Sequence, residues 1–218
     1  MKLFLGCTRT LVQSLIGLSI ALLISSCAKL PPEPVEPTAE TWTNPYPEGT
    51  YEHFKAENYP ERSSAYFNHE VLARTDPSNS HIIISLSLQR AFLMNGDEVA
   101  IDYPVSTGTS SHPTPAGTYT ILEKIKAKRS NLYGKVLDAS GKVVNSDADS
   151  RTAKIPPGGK FLGASMPYWM RFTWTGIGHH VGNVPRYPAS HACIRGQANI
   201  LPIVFSKVKV GTKAEIVE

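Results

Sequence analysis

A mainly β fold, a sandwich or barrel with few and short helices, is what this sequence predicts. Three observations carry the prediction. From Ser80 onward the apolar residues come in short, β-branched runs rather than long helical periods. Glycine and proline punctuate those runs at close intervals. Only residues 197–207 look helical, and Pro202 requires that helix to begin there or to kink. Frequent short strands between turn signals indicate two packed sheets or a closed one.

Each element has its own justification. Residues 81–86 (HIIISL) and 89–94 (QRAFLM) are compact apolar stretches. Asn95-Gly96 follows as a hairpin signal, and residues 98–103 alternate beyond it. Pro104, Gly108, Pro113, Pro115 and Gly117 mark a long turn region ahead of a strand at 118–122. Further strand-like pieces stand at 135–137, 142–144, 170–175 and 214–217. Residues 80–218 amount to one domain of chain.

The part before Ser80 divides into three. Residues 1–26 read as a secretory signal: Lys2 and Arg9 are followed by a 14-residue apolar run, 11–24, against about 20 for a membrane span. Ile24-Ser25-Ser26-Cys27 resembles the lipobox of bacterial lipoproteins, which implies cleavage before Cys27, lipidation of that cysteine, export and a membrane anchor. An ordinary secreted protein with an incidental Cys27 and an uncleaved anchor are the alternatives. Ala28 and Lys29 lack the aspartate associated with inner-membrane retention, so the periplasmic side of the outer membrane is favoured. Residues 27–47 are rich in proline and form an expected tether. Residues 48–79, with Tyr51, Phe54, Tyr59, Tyr66 and Phe67, are too aromatic for a linker and are expected to pack on the following domain.

The full chain carries a charge of +4; without Lys2 and Arg9 it has 20 basic and 18 acidic side chains, or +2. No basic stripe with interleaved aromatics exists, which argues against nucleic acid as a partner. A monomer is expected.

Of three cysteines, Cys7 lies in the leader and Cys27 at the lipidation position, leaving Cys193 as an unpaired thiol in an exported protein. It sits in Ser190-His191-Ala192-Cys193-Ile194-Arg195, with Gly178-His179-His180 shortly before. Nearby histidine and arginine are the ingredients of a thiolate nucleophile. On a strand, His191, Cys193 and Arg195 would share a face, and positive charge there would lower the thiol pKa. Two plainer readings stand beside this. Cys193 could be a small buried hydrophobe, or could join His179, His180 and His191 around zinc, although no second ligand pair such as C-x-x-C is present. Asp138, Asp147 and Asp149 do not meet calcium-loop spacing, and His53, His69, His81 and His112 carry no chemical pattern.

The segments Gly176-Ile177-Gly178-His179-His180-Val181-Gly182 and Ser190-His191-Ala192-Cys193-Ile194-Arg195 resemble the signature of the L,D-transpeptidases, the YkuD-domain enzymes of bacterial cell walls. The likeness extends to Pro104-Val105-Ser106-Thr107-Gly108, Pro113-Thr114-Pro115-Ala116-Gly117, Met166-Pro167-Tyr168-Trp169-Met170 and Val210-Gly211-Thr212, and so covers residues 80–218. It implies a β-sandwich-like catalytic domain that cross-links peptidoglycan stem peptides, with no cofactor and no metal. Cys193 would attack the carbonyl of the third stem residue, D-alanine would leave, and an amine of a second stem would resolve the acyl-enzyme. By the same resemblance His180 is the base, oriented by a backbone carbonyl near Val181 or Gly182. Ser190 and His191 support the site, and Arg195 contacts a substrate carboxylate. Backbone N–H groups around Ala192 and Cys193, helped by Tyr168, form the oxyanion hole. The family has glycine where this chain has Ala192, which is tolerable at negative φ and strained at positive φ. Hydrolysis by an L,D-carboxypeptidase, attachment of a protein lysine to the wall, and a non-catalytic wall-binding lipoprotein are the alternatives.

Overall fold

The computed structural model describes residues 42–59, 63–185 and 187–218. The expected leader, Cys27 and the tether as far as residue 41 lie outside the described residues. Eleven strands are hydrogen-bonded into one continuous sheet: β1 (Tyr66–Phe67), β2 (Ser80–Ser85), β3 (Arg90–Asn95), β4 (Glu98–Ser106), β5 (Gly117–Thr120), β6 (Glu123–Leu137), β7 (Val143–Asp149), β8 (Lys160–Arg171), β9 (Gly178–Val181), β10 (Ile194–Gly196) and β11 (Lys213–Val217). Among the described residues three short helices accompany them: α1 (Tyr51–Asn58), α2 (His69–Arg74) and α3 (Leu201–Ser206). The fold is mainly β. Pro202 lies in the first turn of α3, where its missing N–H costs nothing.

The strand order is β5-β11-β2-β3-β4-β10-β9-β8-β6-β7, with β1 added on β4. A sheet this wide curls, and β4 is where it changes partner. Its first part pairs with β1 and β3 (Ile101 with Phe67 and Leu93), its end with β10 (Ser106 with Arg195). The β3–β4 hairpin turns on Gly96 at φ +55°. Ile82, Ile84, Leu93, Ile101, Ile194 and Ile216 are buried between the layers, together with Val71 of α2 and Leu201 and Val204 of α3. Each such side chain contributes roughly 1.5–3 kcal/mol.

Thr43–Glu218 is one compact unit. The last tether residues, 44–47, fold against α1, where Asn44 Nδ2 donates to His53 O at 2.9 Å. The segment before β2 is stitched to the sheet through a buried ion pair. Arg90 Nε donates to Asp102 Oδ1, and both side chains are inaccessible. The hydroxyls of Tyr51 and Tyr59 donate to Asp102 Oδ2 at 2.9 and 2.6 Å, while Arg90 Nη2 donates to Ser64 O. Phe54 and Tyr59 lie under the guanidinium.

The ribbon β6–β8 is much longer than the short pieces expected at 135–137 and 170–175. Its register slips between Arg129 and Gly134, so residues 130–133 bulge out of the ladder. Glycine at 163 permits this: a Cβ there would lie 1.9 Å from Ser130 O. Ser130 Oγ secures the bulge by accepting from Leu132 N and Tyr133 N.

Candidate active site

Two parallel strands place the chemistry. In the β9–β10 register His179 faces Ile194, and His180 faces Arg195. Adjacent residues on a strand point to opposite faces. His179 and Ile194 therefore enter the core, while His180 and Arg195 turn to a cavity of about 740 Å³ that Cys193 also lines. That volume suits a mid-sized organic ligand.

His179 is spent on structure. Tyr103 Oη donates to its Nε2 at 3.0 Å, and its Nδ1–H donates to Ile194 O at 2.9 Å. Burial holds its pKa down to about 4, and neither nitrogen is free for a metal. His180 differs: Nδ1–H donates to Val181 O at 2.8 Å, which fixes the tautomer and leaves Nε2 toward the cavity as an acceptor. Burial pushes its pKa down to about 4; the Val181 bond opposes this and the Arg195 charge adds to it. It is neutral near pH 7.

Cys193 is half-buried, and its Sγ–H donates to Gly176 O at 3.6 Å. Burial raises its pKa, opposed by a hydrogen bond from the Gly178 backbone and by the charges of Arg195 and Arg171. The expected lowering by nearby cations is therefore present but outweighed. Desolvation of a thiolate exceeds the pull of guanidiniums that remain partly hydrated. The resting pair is thiol and neutral imidazole.

The expected strand through His191 and Cys193 is instead a bend, and regular pairing starts at Ile194. The bend is held at several points. Thr107 O accepts from both Ala189 N and Ser190 N at 3.0 Å, and Ser190 O accepts from Thr109 N at 3.0 Å. Ser190 Oγ donates to Cys193 O. Thr114 Oγ1 accepts from Gly108 N and donates to Ala192 O, both at 2.8 Å. A Cβ on Gly108 would stand 2.9 Å from Ala192 Cα, so the bend and the Thr-Pro turn are in close contact. Ala192 itself has φ +70°, the strained alternative for a residue with a side chain.

Behind Thr107 stands Gln89, buried and at φ +53°. Its Oε1 accepts from Thr107 N at 3.0 Å, and its Nε2 donates to Thr107 Oγ1 at 2.6 Å. Neither Gln89 nor the hydroxyl of Thr114 is singled out by the sequence, although Thr114 lies inside a quoted motif. His112, which carries no pattern in the sequence, packs on His191 at 4.5 Å between ring centroids. Tyr133, from the β6 bulge, stacks on His191 at the same distance. His191 thus joins the nucleophile bend to the ribbon.

Gly182 borders the cavity and makes room for Arg195, since a Cβ would fall 2.9 Å from Arg195 Cγ. Tyr168 is not brought to the site. It packs edge-on against Phe205 beside Lys124, while the next residue, Trp169, lines the cavity. Lys128, Arg151, Arg171 and Arg195 line the cavity, and no carboxylate among the described residues does. Asp149 pairs with Arg151 and Glu123 with Arg171. Lys128 and Arg195 have no such partner among the described residues. The arrangement can hold an anionic ligand against a thiol and a neutral imidazole.

The family profile of the L,D-transpeptidase catalytic domain (YkuD) matches residues 79–216. Among solved structures, an L,D-transpeptidase from Mycobacterium smegmatis aligns at 24% identity and TM-score 0.48, over 64% of this chain and 59% of that one. L,D-transpeptidase 1 of Mycobacterium tuberculosis aligns at 26% identity and TM-score 0.44, over 64% and 62%. An L,D-transpeptidase from Stackebrandtia nassauensis aligns at 14% identity and TM-score 0.46, over 67% and 60%. The chain thus spans about three fifths of the length of these structures. No curated protein matches it.

Proposed function

Given that the chain belongs to the L,D-transpeptidase catalytic-domain (YkuD) family, we propose that it joins peptidoglycan stem peptides through a thioester on Cys193. The observation that carries this reading is the β9–β10 register. It sends His180, with Nδ1 tied to Val181 O, into the same acid-free cavity as the Cys193 thiol.

In this reading a carboxylate-bearing donor stem enters against Arg195 and Lys128. The thiol leaves Gly176 O, His180 Nε2 takes its proton, and Sγ attacks the carbonyl carbon of the third stem residue. Forming the thiolate only when substrate is bound suits a pair that rests neutral. The developing oxyanion is met by the N–H groups of Ala192 and Cys193, which have no acceptor among the described residues. The left-handed turn at Ala192 sets the direction of those two donors. As the tetrahedral adduct collapses, the imidazolium gives its proton to the D-alanine nitrogen and the C–N bond breaks. An acceptor amine then attacks the thioester, passes a proton to His180, and the thiol is restored. Export with a lipid on Cys27 completes the proposal and would place the domain on a tether within reach of the wall.

The test is incubation of the chain with purified disaccharide tetrapeptide, beside Cys193→Ala, with products identified by mass spectrometry. A cross-linked dimer that has lost one alanine, absent from the variant, is expected. Tripeptide alone would replace transfer by hydrolysis. No product from either protein would overturn the enzymatic reading.

A further inference from the structure

Trp174 is 75% exposed at the rim of the cavity, on the tight turn between β8 and β9. An indole left this open in an ordered turn is expensive surface for a protein to display. Nor is it a loose side chain. The Arg171 guanidinium lies over its ring at 5.3 Å and over the buried Trp169 ring at 5.4 Å, and Glu123 holds that guanidinium at 3.0 Å. The turn is closed by Gly176 N to Thr173 O and by a hydrogen bond between the hydroxyls of Thr173 and Thr175 at 2.8 Å. One face of the indole is thus backed by the Arg171 guanidinium and oriented, and the rest of the ring is open.

An open, pre-oriented aromatic face matches a pyranose, which presents C–H bonds on its faces and keeps its hydroxyl or acetamido groups around its rim, free for water or neighbouring side chains. We propose that Trp174 is a stacking platform for an N-acetylated hexose of the donor's glycan, which makes the glycan as well as the peptide part of the recognised substrate. The identity of that sugar rests on the peptidoglycan reading above; the platform itself rests on the geometry of the turn. Reach supports the assignment. Cys193 Sγ is 3.6 Å from Gly176 O, and Gly176 is two residues from Trp174, so the platform starts within roughly 10 Å of the nucleophile. A donor whose third residue is attacked has three residues of backbone and a short linker between that carbonyl and its sugar. The backbone spans at most roughly 10–11 Å at about 3.3–3.6 Å per residue, so a partly bent stem brings the sugar to the ring. The pre-oriented ring would lower the ordering cost of binding a flexible glycopeptide.

The experiment has two arms, both on the full chain in detergent. In the first, kcat/KM is measured for disaccharide tetrapeptide and for the free tetrapeptide, in the wild type, Trp174→Ala and Trp174→Tyr. A preference for the glycosylated donor of about tenfold is expected, collapsing toward unity in Trp174→Ala and largely kept in Trp174→Tyr. No preference in the wild type, or an equal loss on both donors in Trp174→Ala, overturns the proposal. In the second arm, Cys193→Ala is titrated with a peptide-free tetrasaccharide of alternating N-acetylglucosamine and N-acetylmuramic acid, read by tryptophan fluorescence. Saturable quenching that Trp174→Ala abolishes is expected. Absence of binding overturns the proposal even where transpeptidation holds. Trp174-dependent binding without turnover of either donor would sustain the platform and sink the transpeptidase reading instead. Vesicle binding that depends on Trp174, with no glycan binding, would reassign the residue to a membrane surface.

Discussion

Replacing Ala192 by glycine isolates the strain in the nucleophile bend. At φ +70° a residue with a Cβ stands about 1–2 kcal/mol above its relaxed conformation. Glycine removes that penalty but gives the unfolded chain more freedom, which returns about 0.4–1 kcal/mol to the unfolded side. The net expectation for Ala192→Gly is a gain of about 0.5–1 kcal/mol, or a rise in Tm of about 1–4 °C for a unit of this size. Ala192→Val should move the other way by roughly 1–3 kcal/mol, because a branched side chain fits positive φ worse. All three residues keep the backbone N–H, so the glycine variant should acylate at least as fast as the wild type. Thermal unfolding followed by circular dichroism gives the stability, and acyl-enzyme formation followed by mass spectrometry gives the rate. A glycine variant that loses stability would refute the reasoning, since it would mean that Ala192 takes negative φ in solution.

Stability should fall between pH 6.5 and pH 4. His179 and His180 are buried neutral with pKa near 4, against about 6.5 when unfolded, so the unfolded chain binds more protons across that window. Each histidine contributes roughly 3 kcal/mol that is fully present above pH 6.5 and lost as pH falls toward 4. Urea midpoints that stay flat from pH 7 to pH 4.5 would show that these rings are hydrated. Arg90→Met leaves Asp102 buried with its charge uncompensated and should cost about 3–5 kcal/mol in denaturant unfolding; a loss below 1 kcal/mol would mean that the segment around Tyr51 and Tyr59 does not seal the pair. Gln89→Leu strips Thr107 of two partners and should cost about 1–3 kcal/mol. It should lower kcat with little change in KM, whereas a rise in KM at unchanged kcat would show that Thr107 does not govern the nucleophile bend.

The parts of this protein legible in the sequence are those with short-range physical signals. The β2–β4 meander announces itself through β-branched runs and Asn95-Gly96, and the β9–β10 chemistry through an unpaired cysteine with histidine close before it. The long ribbon was not legible because both of its faces are largely exposed from Lys126 to Asn131, so no apolar alternation marks it. His112 is invisible for a different reason: its place against His191 depends on how the 109–116 turn folds over the bend, a long-range fact. Tyr168 shows the converse error. Its motif neighbours line the cavity, but at φ +56° its own backbone carries the side chain out of the regular alternation, toward Phe205. The direction of the Cys193 shift was also beyond the sequence, which displays charges but not desolvation.

The bulge at residues 130–133 divides the molecule's tolerance for change unevenly. One wall of the cavity, at Asn131, Leu132 and Tyr133, is made by residues that drop out of the β6–β8 ladder, whereas the base stands on β9 and the nucleophile on a bend that leads straight into β10. Lengthening or shortening that wall would disturb its bonds to Asp149 and Ser150 beside the edge strand β7 but leave the β6–β8 pairs Arg129–Ser165 and Gly134–Gly163 on either side in register. New acceptors could therefore be fitted by insertion at the bulge without refolding the catalytic strands. Any length change between His180 and Cys193 lacks that freedom, because the bend that delivers Cys193 is pinned at Thr107, Thr109 and Thr114 on one side and runs into the β9–β10 pairing on the other.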